Sequence, residues 1–318
     1  MQVVHSLEDA SSAVSKRGPV FLAIGMFDGV HLGHQSVLNA ARRSAQIDHG
    51  ACIVLTFWPH PSRVFRPSDP TLMILKPDQK RRRLELAGVD VMLEIPFDQN
   101  FARQRAEDFL PWLKAGIPNL REIFVGENFR FGADRMGSVD LLIEQAKSLG
   151  LYIFSGNRVR ESGEAISSTR IRKLITEGSI SGANHLLGYP YCSEGEVVPG
   201  KQNGRKIGFP TLNVVWDPDL KPRYGVYCVE VSLQSDPREW RPAVANYGLR
   251  PTVGDLTEPL LEVHVLDGHP KMNTGDTIDV RWLNFVRPEM KFESFDQLKG
   301  QIAEDVSSAG AFFRQSPD

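Results

Sequence analysis

The chain has 318 residues, a formal net charge of −2 at pH 7, 41% apolar residues and three cysteines. A near-neutral balance gives no basis for a nucleic-acid or acidic-membrane partner, and no apolar run approaches the ~20 residues of a bilayer-crossing helix. The length favours two domains over one. Residues 1–17 include His5, Glu8, Asp9, Lys16 and Arg17, unlike a signal peptide, and Cys52, Cys192 and Cys228 lie far apart without metal-ligand spacing. The cytosol is the expected compartment. No oligomeric state follows from the composition.

Residues 20–24 read as a buried strand. The strand runs through Gly25-Met26-Phe27-Asp28-Gly29-Val30-His31-Leu32-Gly33-His34 into a helix. There Val37, Ala40, Ala41, Ser44 and Ala45 form one small-residue stripe at helical spacing. A strand turning through glycines into a helix offers free N–H groups and a positive dipole end to an anion. His31 and His34 add donors at that end. The stretch is neither a P-loop nor a dinucleotide fingerprint. A histidine serving only as a helix cap is the plainer reading of the pair, but the wider Gly-x-Phe-Asp-Gly-Val-His-x-Gly-His pattern favours phosphate.

Residues 51–57 are a second apolar strand. Continuous apolar strands alternating with helices predict a parallel sheet covered on both faces, with ligands at the carboxyl ends of its strands. At that end Phe57-Trp58-Pro59-His60-Pro61 reads as an extended loop, placing aromatics and His60 beside the histidine pair. Lys80-Arg81-Arg82-Arg83 reads as a solvated helix face. Further strands are expected at 91–95, 122–125 and 151–154, with helices at 106–114 and up to Gly150. The fourth strand runs into Val125-Gly126-Glu127-Asn128-Phe129. Near 166–172, Ser167, Ser168 and Thr169 open a helix with Arg172 one turn in, which forms a second anion cradle. Two phosphate-binding helix starts suit a nucleoside triphosphate gripped from two sides.

The texture changes near residue 187 to six short β-type runs, at 191–198, 212–215, 226–233, 243–247, 260–266 and 277–282. They predict a small antiparallel barrel or sandwich. A closing helix follows, with Phe295, Leu298, Ile302, Val306 and Phe313 along its packed side. Gly204-Arg205-Lys206-Ile207-Gly208 is a basic glycine loop suited to phosphate. Thr211 and Asn213, two apart on a strand, share a face and suit one hard cation. Glu262 and His264 share a face opposite Leu261, Val263 and Val265. Glu262 is a solvent-facing strand residue or, beside such a site, a general base for a hydroxyl attacking ATP.

Taken together these stretches resemble the prokaryotic bifunctional riboflavin kinase/FAD synthetase family over nearly the whole length. The matches are residues 25–35, 56–61, 125–132 and 166–172 in one half, and 204–213, 224–227, 244–252, 261–267 and 286–292 in the other. The resemblance implies a Rossmann-like nucleotidyltransferase domain over 1–186 and a six-stranded riboflavin kinase barrel with a closing helix over 187–318. It implies phosphorylation of riboflavin to FMN, then adenylylation of FMN to FAD with release of pyrophosphate, using ATP and Mg²⁺. By the same resemblance, His31 and His34 carry adenylyl transfer. Gly25, Phe27, Asp28, Gly29, Asn128, Ser167, Ser168, Thr169 and Arg172 belong to its nucleotide site. Gly204, Arg205, Lys206 and Gly208 cradle the kinase nucleotide, Thr211 and Asn213 hold the metal, and Glu262 takes the hydroxyl proton. Phe57, Pro59, His60 and Arg287 are expected flavin contacts.

Leu212, Tyr247 and Asn273-Thr274-Gly275 depart from the family's usual residues, all in the kinase half. Leu212 is expected to point away from the Thr/Asn face. Tyr247 and Thr274 are expected to alter flavin or adenine contacts. Three other readings stay open: FAD synthesis with a weakened kinase barrel, a flavin-binding regulator without turnover, and a transferase for a different acceptor.

Overall fold

The computed structural model describes residues 1–200, 204, 208–251, 257–268 and 272–315. Contacts divide the chain into two compact units, residues 1–168 and 169–318. The first contains β1 (Gln2–Val4), α1 (Leu7–Ala13), β2 (Val20–Ile24), α2 (Leu32–Ile47), β3 (Ala51–Trp58), α3 (Pro61–Phe65) and α4 (Pro77–Leu86). It continues with β4 (Val91–Pro96), α5 (Gln99–Ala102), α6 (Ala106–Gly116), β5 (Leu120–Gly126), α7 (Val139–Leu149), β6 (Tyr152–Gly156) and the short hairpin β7 (Arg160–Glu161) and β8 (Glu164–Ala165). The sheet has the order β1-β4-β3-β2-β5-β6, and every pair is parallel. All five residues of β2 are buried, as a central parallel strand covered on both faces requires.

The chain runs from β2 out to β3 and β4, then returns to add β5 on the other side of β2. That reversal leaves a crevice at the carboxyl ends of β2 and β5, the position where open α/β sheets bind ligands. β1 was not foreseen, being three residues long. The stretch after Trp58 is not all extended: His60 caps α3, its Nδ1 accepting the Ser62 N–H at 3.1 Å.

The second unit contains α8 (Ser168–Glu177), whose first residue lies in unit one, and then α9 (Ile180–Leu187). The strands are β9 (Tyr191–Val198), β10 (Leu212–Val215), β11 (Gly225–Leu233), β12 (Asp236–Pro251), β13 (Thr257–Val265) and β14 (Thr277–Pro288), closed by α10 (Phe295–Gln315). They form a closed antiparallel barrel in the order β10-β13-β12-β11-β14-β9. The contact boundary falls after Ser168 rather than near residue 187, because α9 packs on β9 and β14.

Aromatic side chains fill the barrel. Trp282 meets Tyr227 at 4.8 Å, Trp216 at 5.1 Å and Tyr247 at 5.8 Å between ring centroids. The opposite face of β11 and β12 packs Val226, Cys228 and Val244 against Ala309 of α10. Period-2 alternation thus separates a filled lumen from an outer wall covered by the helix. Phe295, expected on the packed side of α10, is 67% exposed, since it sits at the helix's first residue.

Candidate active sites

In the first unit the crevice holds a cavity of about 220 Å³ lined by Gly25, His31, His34, Asn128 and Arg158. Its walls come from the ends of β2, β5 and β6. His31 is the N-cap of α2: its Nδ1 accepts the His34 N–H at 3.3 Å. The two imidazoles stack, centroids 3.7 Å apart and planes 14° from parallel. The cap foreseen for this pair is present, in a ring that also lines the cavity. A Cβ at Gly33 would lie 3.2 Å from the His31 ring, so glycine leaves the imidazole room against the first helical turn.

The turn before the helix is strained. Phe27 has φ 50° and Val30 φ 35°, with Gly29 at φ 82°. A β-branched residue at positive φ is a true outlier. Asp28 is 2% exposed, and its carboxylate accepts Ile74 N–H at 3.0 Å and Leu75 N–H at 3.4 Å. Its place is within the protein, where it shapes the turn. Ser168 Oγ donates to the Asp28 carbonyl at 2.9 Å, which brings the start of the hydroxyl stretch onto the same turn. Thr169 and Arg172 follow in α8, in the second unit.

Sequence reasoning missed Arg158. It forms hydrogen bonds with the Asn128 side-chain oxygen once that amide is turned, and its Nε lies 3.5 Å from Glu127 Oε1. Its signal was position: it stands just past the carboxyl end of β6. A second cavity, about 760 Å³, shares Gly25, Asn128 and Phe129 with the first. Phe57, His60 and Phe101 are among its walls, with Arg66 and Arg130. Of the expected flavin contacts, Phe57 and His60 line it and Pro59 does not.

The reading of residues 80–83 as a solvated face fails at Lys80, which is 3% exposed. Its Nζ lies 3.7 Å from Glu94 Oε1 and 3.4 Å from Thr56 Oγ1. Burial pulls its pKa below the usual lysine value, against the opposing pull of Glu94 and Asp28. A buried carboxylate on a parallel strand supplies the partner that the helix sequence alone does not reveal.

In the second unit a cavity of about 330 Å³ lies between the outer barrel wall and α10. Gly204, Thr211, Asn213, Asn246, Glu262 and Arg287 line it. Strand register gathers three of them: Glu262 pairs with Asn213 on one side and with Asn246 on the other. Asn213 is 7% exposed, and its amide is seated against the backbone of Gly200, where a Cβ would collide with it. Among the described residues no group of three His, Cys, Asp or Glu could hold a metal. A hydroxyl and an amide oxygen suit a hard cation whose other ligands are phosphate oxygens and water. The Thr211–Asn213 face fits magnesium in that sense. Arg205 and Lys206 lie outside the described residues.

Arg287 is fixed by a two-pronged pair to Asp305 of α10, Nε to Oδ1 at 2.8 Å and NH2 to Oδ2 at 2.7 Å. Asp305 was missed. It interrupts the apolar series Leu298, Ile302, Ala309 on one helix face, and a carboxylate there needs a partner. Glu289 was missed too: burial and the nearby Glu262 raise its pKa. Tyr247 does not touch the cavity. It is wholly buried in the lumen, on the opposite face from Asn246. Thr274 is in an exposed turn outside the cavity. Leu212 shares its face of β10 with Val214, which is 1% exposed, so that face is the one opposite Asn213.

A family model described as FAD synthetase matches residues 14–170, and one described as riboflavin kinase matches residues 187–313. A bifunctional riboflavin kinase/FMN adenylyltransferase of Haemophilus influenzae is 36% identical over 313 residues, 98% of this chain and 99% of that one. The Escherichia coli K12 protein of the same description is 37% identical over 314 residues, covering 98% of each. A crystal structure of a Streptococcus pneumoniae protein described as a macrolide-efflux protein matches with a TM-score of 0.84 at 32% identity, covering 96% of this chain and 97% of that one. That description is of the streptococcal protein. Among the described residues here, no helix is long and apolar enough to cross a membrane.

Proposed function

Because the chain belongs to the bifunctional riboflavin kinase/FMN adenylyltransferase family, we propose that it converts riboflavin to FMN and FMN to FAD, each with one ATP. The observation that carries this reading is that each half keeps polar groups converging on its own cavity: His31, His34 and Asn128 in one, and Thr211, Asn213 and Glu262 in the other. We assign adenylyl transfer to residues 1–186 and the kinase step to residues 187–318.

In the kinase step the ribityl 5′-hydroxyl oxygen attacks the γ-phosphorus of ATP, and ADP leaves. Glu262 takes the hydroxyl proton. Arg287, held by Asp305, orients the flavin side of the cavity, while Gly204 and Gly208 lie against phosphate. Thr211 and Asn213 would hold magnesium, which would neutralise charge on the phosphates. In the second step an FMN phosphate oxygen attacks the α-phosphorus of a second ATP, and pyrophosphate leaves. His31 and His34 stabilise charge developing on that phosphate, supported by the α2 N-terminus. Gly25, Phe27, Asp28 and Gly29 set the turn. Ser167 and Ser168 complete the triphosphate grip. The aromatic cavity with Phe57 and His60 takes the flavin. Neither step needs a covalent intermediate, because positioning and charge stabilisation carry phosphoryl-type transfer.

The test is direct. Purified full-length protein is incubated with riboflavin, ATP and Mg²⁺, and the flavins are separated by chromatography. FMN followed by FAD is expected. FAD formed only from added FMN would remove the kinase assignment. Flavin binding without any product would overturn the enzymatic reading altogether.

A further inference from the structure

We propose that Lys80 is a positioning residue for adenylyl transfer: it holds Thr56, and through Thr56 the Met26–Val30 turn that presents His31. The inference rests on reading that turn as the ATP site, and it adds a residue that lines neither cavity of the unit.

Three observations converge on it. First, Lys80 is buried with a defined set of partners. Thr56 and Glu94 are register neighbours on β3 and β4, and both are buried. The Lys80 ammonium donates to Thr56 Oγ1 at 3.4 Å and stands 3.7 Å from Glu94 Oε1. Arg81 NH2 takes the other oxygen of Glu94 at 3.4 Å. A lysine is almost never this buried unless paired.

Second, the Thr56 hydroxyl has its direction fixed from both sides. It donates to the Met26 carbonyl at 3.2 Å. Lys80 can only donate, so it occupies the oxygen's lone pair and leaves the hydroxyl proton for Met26. Without the ammonium, the hydroxyl is free to rotate away from the turn.

Third, the turn needs holding. Phe27 and Val30 have positive φ without being glycine, and such conformations persist only where the surroundings over-determine them. Among the tethers on the turn are Thr56 on the Met26 carbonyl, the Asp28 carboxylate on the Ile74 and Leu75 amides, Ser168 on the Asp28 carbonyl and the Gln35 amide on the Val30 carbonyl. Lys80 supports the first directly, and the Asp28 charge acts on its ammonium. His31 follows Val30 at once, so a slack turn displaces the imidazole. The displacement would weaken transition-state contacts more than substrate binding.

The experiment uses full-length Lys80→Met, Thr56→Val and the double variant, with kcat and KM measured for FMN adenylylation and riboflavin phosphorylation on the same samples. Each single change is expected to lower the adenylylation kcat about 10- to 100-fold, the size of effect that a misplaced catalytic group produces. KM for ATP should move much less, and riboflavin phosphorylation should be unchanged. The double variant should be no worse than the more severe single one, because both changes cut the same link. Thr56→Val leaves no buried charge unpaired, so it keeps the test readable if Lys80→Met folds poorly. Adenylylation within twofold of wild type in both singles overturns the proposal. So does a double variant whose losses multiply, or a parallel fall of both activities in both singles. His31→Ala is run alongside. If it still makes FAD, the reading of the turn itself fails. If it does not, and Lys80→Met and Thr56→Val are normal, only the role of Lys80 fails.

Discussion

His31 uses one ring for two tasks: its Nδ1 accepts the His34 N–H at 3.3 Å while its face stacks on the His34 imidazole at 3.7 Å. The tasks are separable by substitution. Asparagine is a good helix cap but has no imidazole. His31→Asn should therefore melt close to wild type, whereas His31→Ala loses about 1 kcal/mol of cap energy. Both should lower FAD formation about 10²- to 10³-fold, the size of effect expected for a lost charge-stabilising donor, and both should leave FMN formation intact. A His31→Asn protein with normal FAD synthesis would reduce the histidine to a cap.

Glu262 stands between Asn213 and Asn246 across the β13 register. Its register neighbours on both sides are amides. Glu262→Gln should fold normally and lose about 10²- to 10⁴-fold in riboflavin phosphorylation, the usual worth of a general base. FAD formation from supplied FMN should not change. A kinase rate near wild type would remove Glu262 as the base.

The Arg287–Asp305 pair joins the cavity wall to α10, with the two side chains 16% and 6% exposed. Removing one partner of a buried pair costs about 3–5 kcal/mol, because the other charge is left uncompensated. Asp305→Ala should therefore lower the denaturation midpoint of the barrel and raise KM for riboflavin, with adenylylation of FMN unaffected. An unchanged KM would confine the pair to holding the helix.

The three thiols differ in environment. Burial raises the pKa of Cys52 to about 12 and that of Cys228 to about 11, while Cys192 is part-exposed. Iodoacetamide at pH 8 should label Cys192 alone in the native protein and all three thiols in urea. The native state keeps the protons of Cys52 and Cys228 where the unfolded chain loses them, above about pH 9. Stability contributed by these thiols is therefore complete below pH 9 and falls as pH rises toward 12. Urea midpoints between pH 8 and 10.5 should show that fall, and a Cys52→Ala variant should show a shallower one.

The two sites were legible to different degrees. At residues 25–34, turn glycines, histidines and helix stripe are consecutive, so a local reading reaches the proposed anion site. Thr211, Asn213 and Glu262 were legible because period-2 alternation places each on a face, though not which faces meet. Lys80, Arg158 and Asp305 were not legible. Their partners lie on other elements: Glu94 on β4 for Lys80, Asn128 after β5 for Arg158, Arg287 on β14 for Asp305. A charged residue in a helix looks solvated until its buried partner is known.

The sequence by itself determined the elements: apolar runs made the parallel strands, alternation made the barrel strands, and glycines with hydroxyls marked the helix starts. These are short-range properties, fixed by backbone sterics and by which side chains leave water together. Tertiary structure alone decided the order β1-β4-β3-β2-β5-β6, which puts the crevice beside β2, and the barrel closure that sends Tyr247 inward and Glu262 outward. It also decided that Lys80 is interior. Those outcomes depend on pairings between residues far apart in the chain, where burial of each polar group is tolerated only once its partner has arrived.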